Sequence, residues 1–245
     1  MMKGQVVIDS FPGRAERFRD RYAIVVIDII RATTTATTAV SLGRRVFPAR
    51  TTHEAFEIAS SLKDPLLVGE LGGHMPDGFD LNNSPAQIAK RKDVHRPIVL
   101  VSSSGTQLLM EAAGSHAVYT GCFRNITALA CYLAGRHERI ALMGSRTRGQ
   151  FRLEDQMGCA WVAEKLVEFG YVLGNQQTVE SVDRWRGMSP QEIAWGRSAE
   201  YLRQSGQEED LEFILDHFDD LDTVPCLVQS ELVPVSGRVE AVRSI

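Results

Sequence analysis

Short β-branched runs alternate with longer helical patterns through most of this chain, and that alternation leaves few folds open. The runs at 6–9, 22–30, 45–49, 66–70, 97–102, 117–121 and 139–144 read as strands. Between them, 34–42, 53–61, 85–90, 106–113, 125–133 and 154–169 read as helices. A helix between consecutive strands is the connection that parallel pairing needs, and near-continuous apolar strands suit burial on both faces. The expected class is therefore α/β, a mainly parallel sheet with helices on both faces. His95, His116 and His137 recur at even spacing, each at or just before a candidate strand. They mark the pitch of strand–helix units rather than a metal motif. After Gly170 the pattern changes. Residues 188–203 and 208–218 read as helices, with Ser189-Pro190 as a start signal, and 224–227 and 232–235 read as late strands. No Gly/Ser-rich linker intervenes, so 1–245 is expected to form one domain, with 170–245 a helical appendage plus late strands.

Composition excludes several function classes. The formal net charge of −4 argues against general nucleic-acid binding, which usually needs a basic face. An anionic ligand would then need a locally positive site. No apolar run approaches the ~18 residues of a membrane span. Met1-Met2-Lys3-Gly4-Gln5 leads into a strand-like run rather than a signal peptide. Cys122, Cys131, Cys159 and Cys226 form no CxxC pair, which suits buried reduced thiols in a cytoplasmic protein. A homodimer is the common default for oligomeric state.

The strand ends carry the chemistry. In open parallel sheets, ligands gather at the carboxyl ends of the strands. The run Val25-Val26-Ile27-Asp28-Ile29-Ile30-Arg31-Ala32-Thr33-Thr34-Thr35 puts a carboxylate inside an apolar strand and follows it with a guanidinium and hydroxyls. A lone buried carboxylate is costly without a metal, a cation or several donors. Other strands end in Gly69-Glu70, Ser102-Ser103-Ser104-Gly105-Thr106, Gly121 with Asn125 following, and Gly144-Ser145-Arg146. If the strands are parallel neighbours, these groups converge on one edge.

Each segment also has a plainer reading. Ser102 to Thr106 could offer backbone N–H groups to an anion or simply cap a helix, and the same holds for Thr33 and Thr34. Asp80, in the Gly- and Asn-rich loop 72–85, could join Asp28 and Glu70 as oxygen ligands of the kind that suit Mg²⁺, or could make an Asx turn while Ser84 caps the next helix. Arg146, Arg148 and Arg152 match phosphate or sulfonate oxygens, or form a solvated loop. Glu154 and Asp155 could serve only the helix dipole. His74 reads as a surface residue. There is no GxxxxGK[ST], GxSxG or HExxH motif.

Taken in order, these residues resemble the 2-phosphosulfolactate phosphatase (ComB) family. The resemblance rests on Val26-Ile27-Asp28-Ile29-Ile30-Arg31-Ala32-Thr33, on Gly69-Glu70, and on Gly78-Phe79-Asp80-Leu81-Asn82-Asn83-Ser84-Pro85. It continues through Gly105-Thr106, Asn125, Gly149-Gln150-Phe151-Arg152-Leu153-Glu154-Asp155 and Val224-Pro225, and so covers roughly 22–227. It implies the family's α/β fold and Mg²⁺-dependent hydrolysis of (2R)-2-phospho-3-sulfolactate to sulfolactate and phosphate. In methanogens that step belongs to coenzyme M synthesis, and bacteria that do not make coenzyme M also carry members. The chain departs from the family at two places: Leu71 stands where an Arg is usual, and Ser102-Ser103-Ser104 where Thr-Thr-Asn is usual.

In the resulting mechanism, Asp28 and Glu70 hold Mg²⁺, with Asp80 and Asp155 as further candidate ligands. Arg31 and the helix starts at Thr33 and Gly105 hold phosphoryl oxygens, with Thr34, Ser103, Ser104, Thr106 and Asn125 nearby. Arg146 or Arg148 meets a second acidic group on a small anionic phosphate ester. Attack by water and a covalent Asp28 intermediate both fit a carboxylate at a strand end. The two departures motivate a second reading, a non-catalytic binder of a small phosphorylated or sulfonated acid.

Overall fold

The protein is described by a computed structural model covering residues 4–10, 15–147 and 150–236. Its strands are β1 (Gln5–Asp9), β2 (Ala23–Ile27), β3 (Val46–Ala49), β4 (Leu66–Gly69), β5 (Ile98–Val101), β6 (Ala117–Gly121), β7 (Arg139–Gly144), β8 (Arg146–Thr147), β9 (Gln150–Phe151), β10 (Val172–Leu173), β11 (Thr223–Val228) and β12 (Glu231–Ser236). Its helices are α1 (Ala15–Phe18), α2 (Ala32–Ser41), α3 (Thr52–Ser60), α4 (Pro85–Lys90), α5 (Gly105–Ala112), α6 (Ile126–Leu133), α7 (Leu153–Glu168), α8 (Gln176–Trp185), α9 (Arg197–Gln204) and α10 (Glu208–Asp216). The α/β class follows the expected alternation, and the expected strands and helices up to α7 recur to within a few residues. The expected helix over 188–203 is instead a 3-10 turn, Pro190–Trp195, a break at Gly196, and then α9. Helix α8, which the change of pattern after Gly170 obscures, starts at Asn175, whose side chain accepts the Thr178 N–H.

Ten strands form one sheet in the order β10-β1-β7-β2-β6-β11-β12-β3-β5-β4. Strands β10, β1, β7, β2 and β6 are mutually parallel, and so are β3, β5 and β4. The β11–β12 hairpin lies between these blocks, antiparallel to β6 on one side and to β3 on the other. The two parallel blocks therefore run in opposite directions along the sheet. The expectation that all strand ends share one edge of a single parallel sheet is corrected at this point.

The ends meet nonetheless. Strands β2 and β5 stand five positions apart, roughly 24 Å across a flat sheet. Yet Ser104, just after β5, donates to Asp28, just after β2, at 3.1 Å. The sheet must therefore curl back on itself. Helix α2 fills the curl, touching β3, β5, β6, β11 and β12. Its sequence, ATTTATTAVS, suits that position, because nine of its ten residues are buried and most are Ala or Thr. Several of its hydroxyls are used internally: Thr34 donates to the Ile29 carbonyl, and Thr38 accepts from Arg124, which is itself held by Asp220.

Strand β2 is buried on both faces, as parallel strands are. Ala23, Val25 and Ile27 pack with α6 and α7 residues such as Leu129, Met157 and Val162. Ile24 and Val26 pack with Ala36, Val40, Leu108 and Leu109 on the α2–α5 side. No helix among the described residues is long and apolar enough to cross a membrane.

Candidate functional site

Strand β2 ends at Ile27, and the next residue is Asp28, only 3% exposed. Its carboxylate has two donors. The Ala32 N–H at the start of α2 reaches Oδ1 at 3.3 Å, and the Ser104 hydroxyl reaches Oδ2 at 3.1 Å. Thr33 fixes the turn: its hydroxyl accepts the Asp28 N–H at 2.9 Å and donates to the Gly121 carbonyl at 2.7 Å. Gly105 is required by closeness. A Cβ there would lie 2.5 Å from Asp28 Oδ2 and 2.6 Å from Ala32 Cβ. Burial, then the negative charge of Glu70, pushes the Asp28 carboxyl up to about 6, against the opposing pull of the Ser104 and Ala32 hydrogen bonds.

Glu70 follows β4, and both of its oxygens accept hydrogen bonds. Oε1 accepts the Ser103 N–H at 2.7 Å, while Oε2 accepts the Ser103 hydroxyl at 2.9 Å and the Gly73 N–H at 2.7 Å. Gly73 adopts a φ of 87°, the left-handed region that glycine enters without penalty. The Ser103 hydroxyl also accepts the Gly72 N–H, so the loops after β4 and β5 are stitched together around one carboxylate.

These groups line a cavity of about 510 Å³. Asp28, Glu70, Ser103 and Ser104 form one wall with Ile30 and Arg31. Residues that the sequence reading did not place there form another: Arg152, Arg197, Ser198 and Tyr201. Arg152 lies at the N-cap of α7, and Arg197 is the first residue of α9. Glu154, buried behind Arg152, has its carboxyl pushed up by burial, with Ser198 as a hydrogen-bond partner. Arg152 had a signal, its place in an arginine-rich run. Arg197 and Tyr201 had none, because only the docking of α9 brings them to the cavity.

Other expected site residues are held elsewhere. Asp80 is exposed, and its Oδ2 accepts the Leu67 N–H at 2.8 Å, which ties this side chain to the beginning of β4. Asn125, fully buried, accepts the Cys122 N–H and donates to the Thr120 and Thr223 carbonyls; it ties β11 to the β6–α6 turn rather than meeting a ligand. Thr34 and Thr106 spend their hydroxyls on local backbone, Thr106 in a reciprocal cap with Ser102. Asp155 is 1% exposed and sits behind Asp28. Its oxygens accept the Ile29 N–H at 2.8 Å and the Ser145 hydroxyl at 2.6 Å, and its carboxyl is pushed well up by burial and by the charge of Asp28. Arg31 does line the cavity, but its Nη1 is committed to Asp210 and Gln207. Ser84 caps α4, and His74 is an exposed loop residue. Arg148 and the side chain of Arg146 lie outside the described residues. Among the described residues no group of three His, Cys, Asp or Glu side chains could hold a metal ion.

A sequence model of the family described as 2-phosphosulpholactate phosphatase matches residues 12–230. A protein of Carboxydothermus hydrogenoformans, described as a probable 2-phosphosulfolactate phosphatase, is 34% identical over 184 residues, 75% of this chain and 76% of its own. A protein of Thermotoga maritima with the same description is 35% identical over 214 residues, 85% of this chain and 90% of its own. One from Synechococcus sp. (strain WH7803), again so described, is 28% identical over 228 residues, 91% of this chain and 90% of its own. With a family match of that extent and the Asp28, Glu70 and Ser103–Gly105 segments brought to one cavity, the chain belongs to the 2-phosphosulfolactate phosphatase family.

Proposed function

We propose that this protein is a phosphoric monoester hydrolase that cleaves 2-phospho-3-sulfolactate to sulfolactate and phosphate, with Mg²⁺ held by Asp28 and Glu70. The observation that carries the reading is the presence of two carboxylates, one of them buried, and three arginines in the lining of one cavity. The substrate has three acidic groups: phosphate, carboxylate and sulfonate. Arg31, Arg152 and Arg197 supply guanidinium forks that match such oxygens.

The residues present suit the ion. Both candidate ligands are hard carboxylates, and the charge of Glu70 already raises the proton affinity of Asp28, a repulsion that a cation relieves. Mg²⁺ is usually held by one or two carboxylates together with waters and a substrate phosphate, so a third protein carboxylate is not needed. When bound, the ion supplies charge neutralisation and Lewis acidity at the phosphate. The chain's own residues do the rest. Ser104 and the Ala32 N–H hold the Asp28 carboxylate in place, and the two stitched loops hold Glu70. Arg31, from the β2–α2 turn, brings positive charge to the phosphoryl group.

Phosphate release from phosphosulfolactate, measured with Mg²⁺ and with EDTA, tests the proposal. Turnover should require the metal and stop with the chelator. Measurable binding of the ester with no Mg²⁺-dependent turnover, on it or on a panel of other small phosphate esters, would make the protein a non-catalytic binder.

A further inference from the structure

Arg31 is held by a segment far from it in sequence. Its Nη1 donates to Asp210 Oδ2 at 2.6 Å and to Gln207 Oε1 at 2.6 Å, and its Nη2 donates to Asn82 Oδ1 at 3.3 Å. The Arg31 and Asp210 side chains are 4% and 5% exposed. The other Asp210 oxygen accepts the Ser84 hydroxyl at 2.5 Å and the Ala86 N–H at 3.2 Å. One carboxylate in the first turn of α10 therefore joins the start of α4 to the β2–α2 turn. Both Nη1 hydrogens of Arg31 are committed, whereas Nε and the second Nη2 hydrogen have no acceptor among the described residues. A guanidinium clamped along one edge presents its remaining donors in a fixed direction, and Arg31 lines the cavity.

We propose that Asp210 is a positioning residue for the phosphatase reaction: through its buried pair with Arg31 it fixes the guanidinium so that the unclamped N–H groups address the substrate's phosphoryl oxygens. The inference rests on the hydrolase reading above. It gives the C-terminal helices a part in catalysis, acting through a group they do not themselves carry. A merely structural Asp210 would instead serve α4 through Ser84 and Ala86.

A double-mutant cycle separates these roles, because groups that act as a unit lose activity non-additively. Asp210→Asn keeps the shape and one acceptor. It should lower kcat/KM by about tenfold or more, a cost typical of misplacing a group that orients substrate. In an Arg31→Ala background the same substitution should change kcat/KM less than about twofold. Calorimetric affinity for inorganic phosphate should follow the same cycle, and it is read without turnover. Absence of wild-type turnover with the phosphate cycle intact would therefore defeat the hydrolase reading and leave the Arg31–Asp210 coupling standing. Additive losses in both readouts, or an Asp210→Asn protein of near wild-type kcat/KM and phosphate affinity, would overturn the proposal. If Asp210→Asn does not fold, Gln207→Leu decides: a loss of about threefold in phosphate affinity at unchanged melting temperature supports the clamp, and unchanged affinity overturns it.

Discussion

Two cavities of about 510 Å³ each open at opposite ends of the β2–β6–β7 block, and their linings differ in kind. The one at the carboxyl ends holds Asp28, nearly free of solvent, and a Glu70 whose oxygens take three donors from two loops. The one at the amino ends is lined by Arg21, His116, Arg136, His137 and Arg139 with Asp20 and Glu138, and its arginines are exposed. Arg136 lies over the Tyr132 ring at 4.3 Å, and Arg139 lies 5.8 Å from the Tyr22 ring centroid. His137, lowered in proton affinity by burial, meets the Tyr119 hydroxyl at 2.9 Å. Equal volume thus accompanies opposite energetics. At the amino ends charge stays in water, where it costs little. At the carboxyl ends a charge is drawn into the protein and held there by a set of donors, an arrangement that burial makes costly and that is common at functional sites.

The sharpest way to break this contrast is Asp28→Asn. The change is nearly isosteric, and turnover should fall by about 10²-fold or more, as for other groups that stabilise charge in a reaction. Near-normal turnover in a folded variant would make Asp28 structural and the two cavities equivalent. The same variant carries a stability signature. The Asp28 carboxyl rises from 3.8 to about 6 on folding, so the native state binds its proton more tightly than the unfolded chain does. Its contribution is fully present below about pH 4 and is lost as pH rises through 6. Metal-free Asp28→Asn should therefore gain on wild type as pH rises through that window, by at most about 3 kcal/mol at pH 8, and show no gain at pH 4. Denaturant unfolding at the two pH values reads the difference, and a gain of the same size at both would remove the desolvation argument.

Asn125→Ala sharpens the boundary of the site. It leaves the buried Cys122 N–H without its acceptor, which should cost about 1–3 kcal/mol of stability, while turnover of the folded protein stays within about threefold. A loss of turnover rivalling Asp28→Asn would put Asn125 against the substrate. Arg136→Ala has the smallest expected effect: kcat/KM within about twofold and a stability change within about 0.5 kcal/mol. A larger loss would mean that the amino-end cavity serves the reaction too.

Much of the candidate site was legible because its demands are local. A carboxylate in an apolar strand needs compensation wherever the strand goes, and Asp28 announces that need by itself. Glu70 and the Ser103–Gly105 turn follow from the rule of strand ends. The reversal between the parallel blocks was not legible. It depends on β11 and β12 inserting between β6 and β3, and nothing local to 223–236 distinguishes a central hairpin from an edge one. Asp80 and Asn125 show the complementary error. Asp80 sits in the loop that follows Glu70 and Asn125 follows a strand end, but the backbone satisfies them first, Asp80 through Leu67 and Asn125 through Cys122, Thr120 and Thr223. Arg197, Tyr201 and Asp210 carry no local signature, since they reach the cavity or its arginine only when the last helices dock.

Helix α2 has one more consequence. With strands on several sides and nine of its ten residues out of solvent, it has no face on which a side chain can grow. Even an added methylene in a filled interior forces neighbours aside at a cost of about 1–3 kcal/mol. Here those neighbours include β5, whose following turn supplies the Ser103 and Ser104 donors, so an enlarged α2 residue would shift the donors of Asp28 and Glu70 before it unfolded the chain. Re-targeting the protein to another ester is therefore better sought at Arg197 in the first turn of α9, which lines the cavity from a helix that carries neither carboxylate. Libraries drawn over α2 should return mostly inactive clones, and libraries drawn over the first turn of α9 should return active ones with altered preference.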